Sequence, residues 1–285
     1  MHLTGIAIAS LLLVLPAQAQ QVQDWNVCQE KEKTVVGNHV RSCTAIIRSD
    51  RSSSKDKAVA YNNRGNVLRD RGELDRAIAD FDAAVRLEPK LADTYINRGI
   101  ARYRRGDLDR AIADYDEAIR LDPKREHAFV NRGAVWFAKG DLDRAIADYT
   151  EAIRLDPANA DNFNSRCWGR ALDGKDLNGA LADCSESLRL RPNDRNTLNS
   201  RGLVQFKLGA FDAAIADYNA AVAQNLEDAD SLYARGMVKL KKGDAVDGNA
   251  DMSAAKAIKP DIAAVFAGYG LTVDAAGASV PPEHK

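Results

Sequence analysis

A fixed period of about 34 residues constrains this chain more than any other feature. Tyr61-Asn62-Asn63-Arg64-Gly65, Tyr95-Ile96-Asn97-Arg98-Gly99 and Phe129-Val130-Asn131-Arg132-Gly133 repeat one pattern at a constant interval. The frame continues at Phe163-Asn164-Ser165-Arg166-Cys167. After a one-residue insertion near Gly174 it resumes at Leu198 to Gly202 and Leu232 to Gly236, making six units. Small residues recur at Ala77, Ala111, Ala145, Ala180, Ala214 and Gly248, and again at Ala84, Ala118, Ala152, Ser187, Ala221 and Ala255. Between them runs a larger column of Phe81, Tyr115, Tyr149, Cys184, Tyr218 and Met252. Pro89, Pro123, Pro157, Pro192 and Pro260 close five units, and Leu226 stands in the remaining one. A unit this short cannot bury its own apolar stripe, so neighbours must stack to share a core.

Each unit reads as two helices, Ala58 to Arg71 and Leu74 to Leu87 in the first. Gly72 breaks the chain between them and Pro89 ends the second. Small side chains at the crossing let paired helices approach closely. These columns resemble the tetratricopeptide repeat over Val59 to Pro260. The fold expected is all-α, a right-handed α-solenoid (superhelix) with a concave and a convex face. The chain departs from the family at Arg64 and its equivalents, where the family usually has Leu.

The expected organisation is a signal peptide over 1–19, a degenerate helical pair over 20–50 and a polar linker over 51–57. Six repeats follow at 58–91, 92–125, 126–159, 160–194, 195–228 and 229–260. A capping helix is expected at 261–270 and a disordered tail at 271–285. Met1 to Ala19 holds no charged side chain, Ile6 to Leu15 is a short apolar run, and Ala17-Gln18-Ala19 supplies a small-x-small cleavage pattern. Export into an oxidising compartment follows, the periplasm of a Gram-negative bacterium or the exterior, and the run is too short for a stable membrane anchor.

The cysteines agree with that. Cys167 replaces the glycine of the fourth unit and Cys184 replaces the large residue facing it, so both should meet across one antiparallel hairpin. The spacing from Cys28 to Cys43 is nearly the same as that from Cys167 to Cys184, which predicts a second structural disulfide in the N-terminal pair. No CxxC and no His partner favours a metal site instead.

Two charged ladders accompany the repeats. Arg64, Arg98, Arg132, Arg166, Arg201 and Arg235 precede the glycine column; Asp80, Asp114, Asp148, Asp183, Asp217 and Asp251 hold the matching place on the second helix. They read as structural Arg–Asp pairs joining the helices. A basic column for an acidic ligand is the alternative, and the equal number of Asp opposes it.

One residue earlier runs a polar column, Asn63, Asn97, Asn131, Ser165 and Ser200, ending in Ala234. In tetratricopeptide proteins that bind extended peptides, asparagines at this place line the concave face, and the resemblance carries that role to Asn63, Asn97 and Asn131. An amide both donates and accepts, so it pairs with a peptide backbone of any sequence. The family's carboxylate clamp is not carried over: Asn66 and Asn97 match its polar members, but Asn62, His127 and Asn131 stand where basic residues belong. Ile100, Tyr103, Phe137, Trp168 and Phe206 recur on the same helices as an apolar trough that either binds a peptide or amphipathic helix or packs between repeats.

The function classes narrow accordingly. With 40 Lys+Arg against 41 Asp+Glu, a net charge of -1 lacks the basic stripe nucleic acid demands. No GxSxG, HExxH or phosphate loop occurs, and the His number only four, His2, His39, His127 and His284. Neither a cofactor nor a metal site is expected. The leading expectation is a non-enzymatic binding module of the cell envelope that holds a protein or peptide partner in its groove. The alternative is a scaffold that assembles through its outer face or by self-association.

Overall fold

The computed structural model describes residues 17–29 and 36–272. The described residues form fifteen helices and no strand. They fall into two compact units, the first ending at Leu121 and the second beginning at Asp122. The first unit holds α1 (Ala17–Gln29), α2 (Val36–Arg48), α3 (Ser54–Asp70), α4 (Leu74–Leu87), α5 (Ala92–Arg104) and α6 (Leu108–Leu121). The second holds α7 (Glu126–Ala138), α8 (Leu142–Leu155), α9 (Ala160–Asp173), α10 (Leu177–Leu190), α11 (Arg195–Lys207) and α12 (Phe211–Gln224). It ends with α13 (Ala229–Lys242), α14 (Ala245–Ile258) and α15 (Ile262–Gly268). Both units are stacks of antiparallel helix pairs, as the period requires.

The hairpins form where the sequence directs. In α4 the apolar residues Ala77, Ile78, Phe81 and Ala84 share one buried face at helical spacing. The turns between paired helices use Gly72, Gly106, Gly140, Gly174, Gly209 and Gly243, all with positive φ that a side chain rarely tolerates. Within each hairpin the second glycine column serves packing instead. A Cβ on Gly99 would lie 2.7 Å from the Tyr115 ring, and one on Gly65 2.7 Å from the Phe81 ring. Tyr115 and Phe81 are fully buried, so neither ring has room to retreat. Gly99→Ala should therefore destabilise the chain by about 1–3 kcal/mol through overpacking, read from the urea midpoint.

In the fourth hairpin a covalent bond replaces that contact. Cys167 and Cys184 are disulfide-bonded with Cα atoms 5.4 Å apart, and both are wholly buried. Cys28 and Cys43 form the second bridge, Cα atoms 4.9 Å apart, tying α1 to α2. Around it Ile46 and Ala60 close a small core with Trp25 and Ile47 packed alongside.

Two expected boundaries shift. Residues 54–57 of the expected linker are the first turn of α3. The Ser53 side chain accepts from the Asp56 backbone N–H, and the Asp56 carboxylate accepts from the Ser53 N–H. That reciprocal cap starts the helix earlier than the repeat pattern alone implies. At the other end Leu271, assigned to the tail, is buried in the core of the second unit. The apolar run at Ile6 to Leu15 lies outside the described residues, as do His2, His284 and the tail beyond Thr272. None of the described helices is long and apolar enough to cross a membrane.

In the second unit α9 touches α11 and α11 touches α13, whereas the second helices α8, α10, α12 and α14 have no comparable mutual contact. α9, α11 and α13 therefore line the inner side of this unit.

Candidate functional site

All six Arg–Asp pairs form, each as a fork. Arg64 Nε and Nη2 donate to the two carboxylate oxygens of Asp80, both at 2.7 Å. Arg201 does the same to Asp217 at 2.7 Å, and Arg98, Arg132, Arg166 and Arg235 grip Asp114, Asp148, Asp183 and Asp251. Such a planar fork suits a carboxylate as an ammonium cannot. The carboxylates are buried and the Arg stems cover apolar surface. Arg64, Arg98 and Arg132 also lie over the rings of Tyr61, Tyr95 and Phe129, 5.3 to 5.7 Å from the centroids.

The guanidinium has a further N–H, and sequence reading did not place it. Arg98 Nη1 donates to Asp82 at 2.7 Å, Arg166 Nη1 to Thr150 at 3.2 Å and Arg235 Nη1 to Asn219 at 2.8 Å. Each acceptor sits on the second helix of the preceding hairpin, 16 residues upstream. In these three units one side chain thus clips its own hairpin shut and fastens it to the one before, whereas the Ser185 hydroxyl, at the matching place before Arg201, donates to Leu181 of its own helix. The signal was available as polar residues two places after each ladder Asp.

Electrostatics follow the crowding. Burial pushes the Asp114 carboxyl up, against bonds and charges from Arg98 and Arg102 that pull it down. Burial also lowers Arg102, whereas the hydrogen bonds to Asp217 raise Arg201. Asp251 is held low: burial alone would raise it, but the hydrogen bonds and charges of Arg235 and Lys239 together outweigh that effect.

The asparagine column is half-buried and engaged with its own chain. Asn63 donates to the Cys28 carbonyl of α1 at 3.0 Å. Asn97 donates to Asn62 at 3.0 Å and accepts from Arg69 at 3.2 Å. Asn131 donates to the His127 carbonyl of its own helix at 2.7 Å. Ser165 is half-buried on α9.

The apolar column divides. In the first unit Ile100 is half-buried and Tyr103 is 37% exposed, near the end of α5. In the second, Phe137 is half-buried on α7, and Trp168 and Phe206 pack against a buried cluster that includes Leu203, Tyr233 and Met237. The same cluster contains Phe266 and Leu271 from the C-terminal end. The Phe266 ring lies 4.8 Å from that of Tyr233, and the Tyr269 ring meets Trp168 edge-on at 5.5 Å. Residues 262–271 therefore do more than cap the last hairpin: they reach across the inner wall from α13 to α9. Sequence reading missed this reach. Its one trace is register, because Phe266 and Gly270 fall one full period after Leu232 and Gly236.

Models of the tetratricopeptide repeat match residues 96–160 and 199–261, and a TPR repeat model matches residues 65–106. None of the curated proteins matches the sequence. A tetratricopeptide repeat protein of Parabacteroides merdae has a similar structure, with TM-score 0.67 at 16% identity over 88% of this chain and 98% of its own. Pseudomonas aeruginosa PilF matches with TM-score 0.63 at 19% identity over 76% of this chain and 100% of its own. Both likenesses are of fold. YrrB, described as a TPR protein with an unusual peptide-binding site, matches with TM-score 0.52 at 25% identity over 64% of this chain and 93% of its own.

Proposed function

We propose, from the premise that this chain belongs to the tetratricopeptide repeat family, that it is a non-enzymatic capture module of the cell envelope. It holds a helix or extended peptide of a partner protein against its first helices. The observation that carries this reading is the inner wall of α9, α11 and α13, which already seats a peptide segment, the chain's own residues 262–271. A concave apolar wall built from several hairpins suits an amphipathic helix. Trp168 and Phe206 are its anchors; Ser165 on α9, and Asn131 on α7 of the preceding hairpin, are the polar groups that fix a ligand's orientation.

Chemistry supports an exported compartment. Two disulfides persist in an oxidising environment, and Met1 to Ala19 reads as an export leader. The periplasm satisfies both.

Phe206→Lys tests the reading. Phe206 is only half-buried, so the new ammonium can reach solvent while charging the wall. Crosslinked capture of the partner from an envelope fraction should fall at least tenfold relative to the parent, at a temperature where the variant keeps the parent's helical circular-dichroism signal. Equal capture by both proteins removes the inner wall from consideration.

A further inference from the structure

The segment on the inner wall has the properties of a ligand. By register it begins a seventh first-helix, but α15 stops at Gly268 and Gly270 turns the chain with a φ of 70°. The Leu271 N–H returns to the Phe266 carbonyl at 3.0 Å, and the Leu271 side chain enters the core. Phe266 lies in the last turn of α15 and Tyr269, three residues on, caps its end, and their rings meet Tyr233 and Trp168 of the wall. A cap that only shielded the last hairpin would have no need to touch Trp168, two hairpins upstream. Helix-in-groove ligands dock with this anchor spacing.

Ile262, Phe266 and Leu271 anchor the segment in the core, but the rest of its attachment is light. Seven residues make about two turns, too short to stay helical without the wall. Asp261 provides no side-chain cap, and Tyr269 remains 38% exposed. Residues 262–272 carry no charge, so no ion pair of their own side chains fixes them in place.

We propose that residues 262–271 are a built-in competitor for the partner site. The partner segment is then a weakly charged helix bearing two aromatic side chains three residues apart, and it binds by displacing them. This rests on the docking reading given above and adds its regulation and its ligand class.

The probe is a fluorescein-labelled peptide of residues 259–272, titrated by anisotropy into the full chain. If the resident segment is open less than about a tenth of the time, the apparent affinity of the parent is reduced at least tenfold. Phe266→Ala/Tyr269→Ala should therefore bind the probe at least tenfold tighter than the parent, and adding Phe206→Lys should abolish the gain. Equal binding by parent and double variant overturns the competition but leaves the docking wall standing. No binding by either overturns both. A parent that doubles in mass by exchanging this segment between copies overturns displacement by an outside partner.

A second measurement does not depend on a weakened variant. With benzoylphenylalanine at position 269 of the full chain, photolysis should crosslink to the α9 peptide that contains Trp168. Saturating probe should suppress that product. A crosslink unaffected by the probe refutes displacement.

Discussion

Arg201→Met should lower the stability of the chain by about 3–5 kcal/mol, the cost of leaving a buried carboxylate without its cation. Asp217 is 6% exposed, and among the described residues its hydrogen bonds and ion pair all come from Arg201. Methionine keeps the apolar stem but removes both N–H donors and the charge. In an Asn219→Ala background, which removes the separate bond of Arg235 to that residue, Arg235→Met should cost clearly less, because Lys239 Nζ stays 2.9 Å from Asp251. Pairing the mutation with its partner, as Arg201→Met/Asp217→Leu, should recover most of the loss, since an apolar pair of similar volume needs no compensation. Urea denaturation of these proteins decides the matter. Equal losses for Arg201→Met in the parent and Arg235→Met in the Asn219→Ala background would mean that the carboxylates draw their stabilisation from elsewhere.

Cys167→Ser/Cys184→Ser should cost about 3 kcal/mol, the loop-entropy contribution of closing a loop of roughly this length. The replacement Cys167→Gly/Cys184→Tyr tests why the bridge is there. It installs the pair that flanks it on both sides, Gly133 with Tyr149 and Gly202 with Tyr218, whose rings approach within 2.8 Å of where a glycine Cβ would be. The Gly/Tyr variant should lie much closer to the parent than the Ser/Ser variant and should become insensitive to reductant at this hairpin. Thermal melts with and without reductant distinguish the two. If both variants are equally unstable, the fourth hairpin differs from its neighbours in more than its crosslink.

These two sites show what could be read before any coordinates. The hairpins are legible because four of the six units repeat one steric demand, a glycine beneath a ring. The disulfides were legible because Cys167 and Cys184 altered both members of that demand in a single unit. The Arg–Asp ladder was legible as two columns in step. What each column residue does beyond its own hairpin was not legible. Register places Asn63 and Asn97 on a helix face, but it cannot say that the Cys28 carbonyl and Arg69 reach those amides first. Nor does the short uncharged stretch after Asp261 carry enough periodicity to reveal that Tyr269 lies against Trp168, a contact spanning most of the second unit.

The clip made by the ladder arginines bears on how such a chain can change its length. A unit that brings an Arg for the hairpin behind it and a carboxylate, hydroxyl or amide for the hairpin ahead carries both halves of a joint. Copied into the array, it would find a mate waiting on either side, and nothing already present would need to be redesigned. The one-residue insertion in the fourth unit shows the tolerance of the scheme: Arg166 still meets Asp183, now 17 positions on rather than 16, and still reaches Thr150. Growth by duplication is thus written into the side chains, and each added module would extend the wall on which a guest can rest.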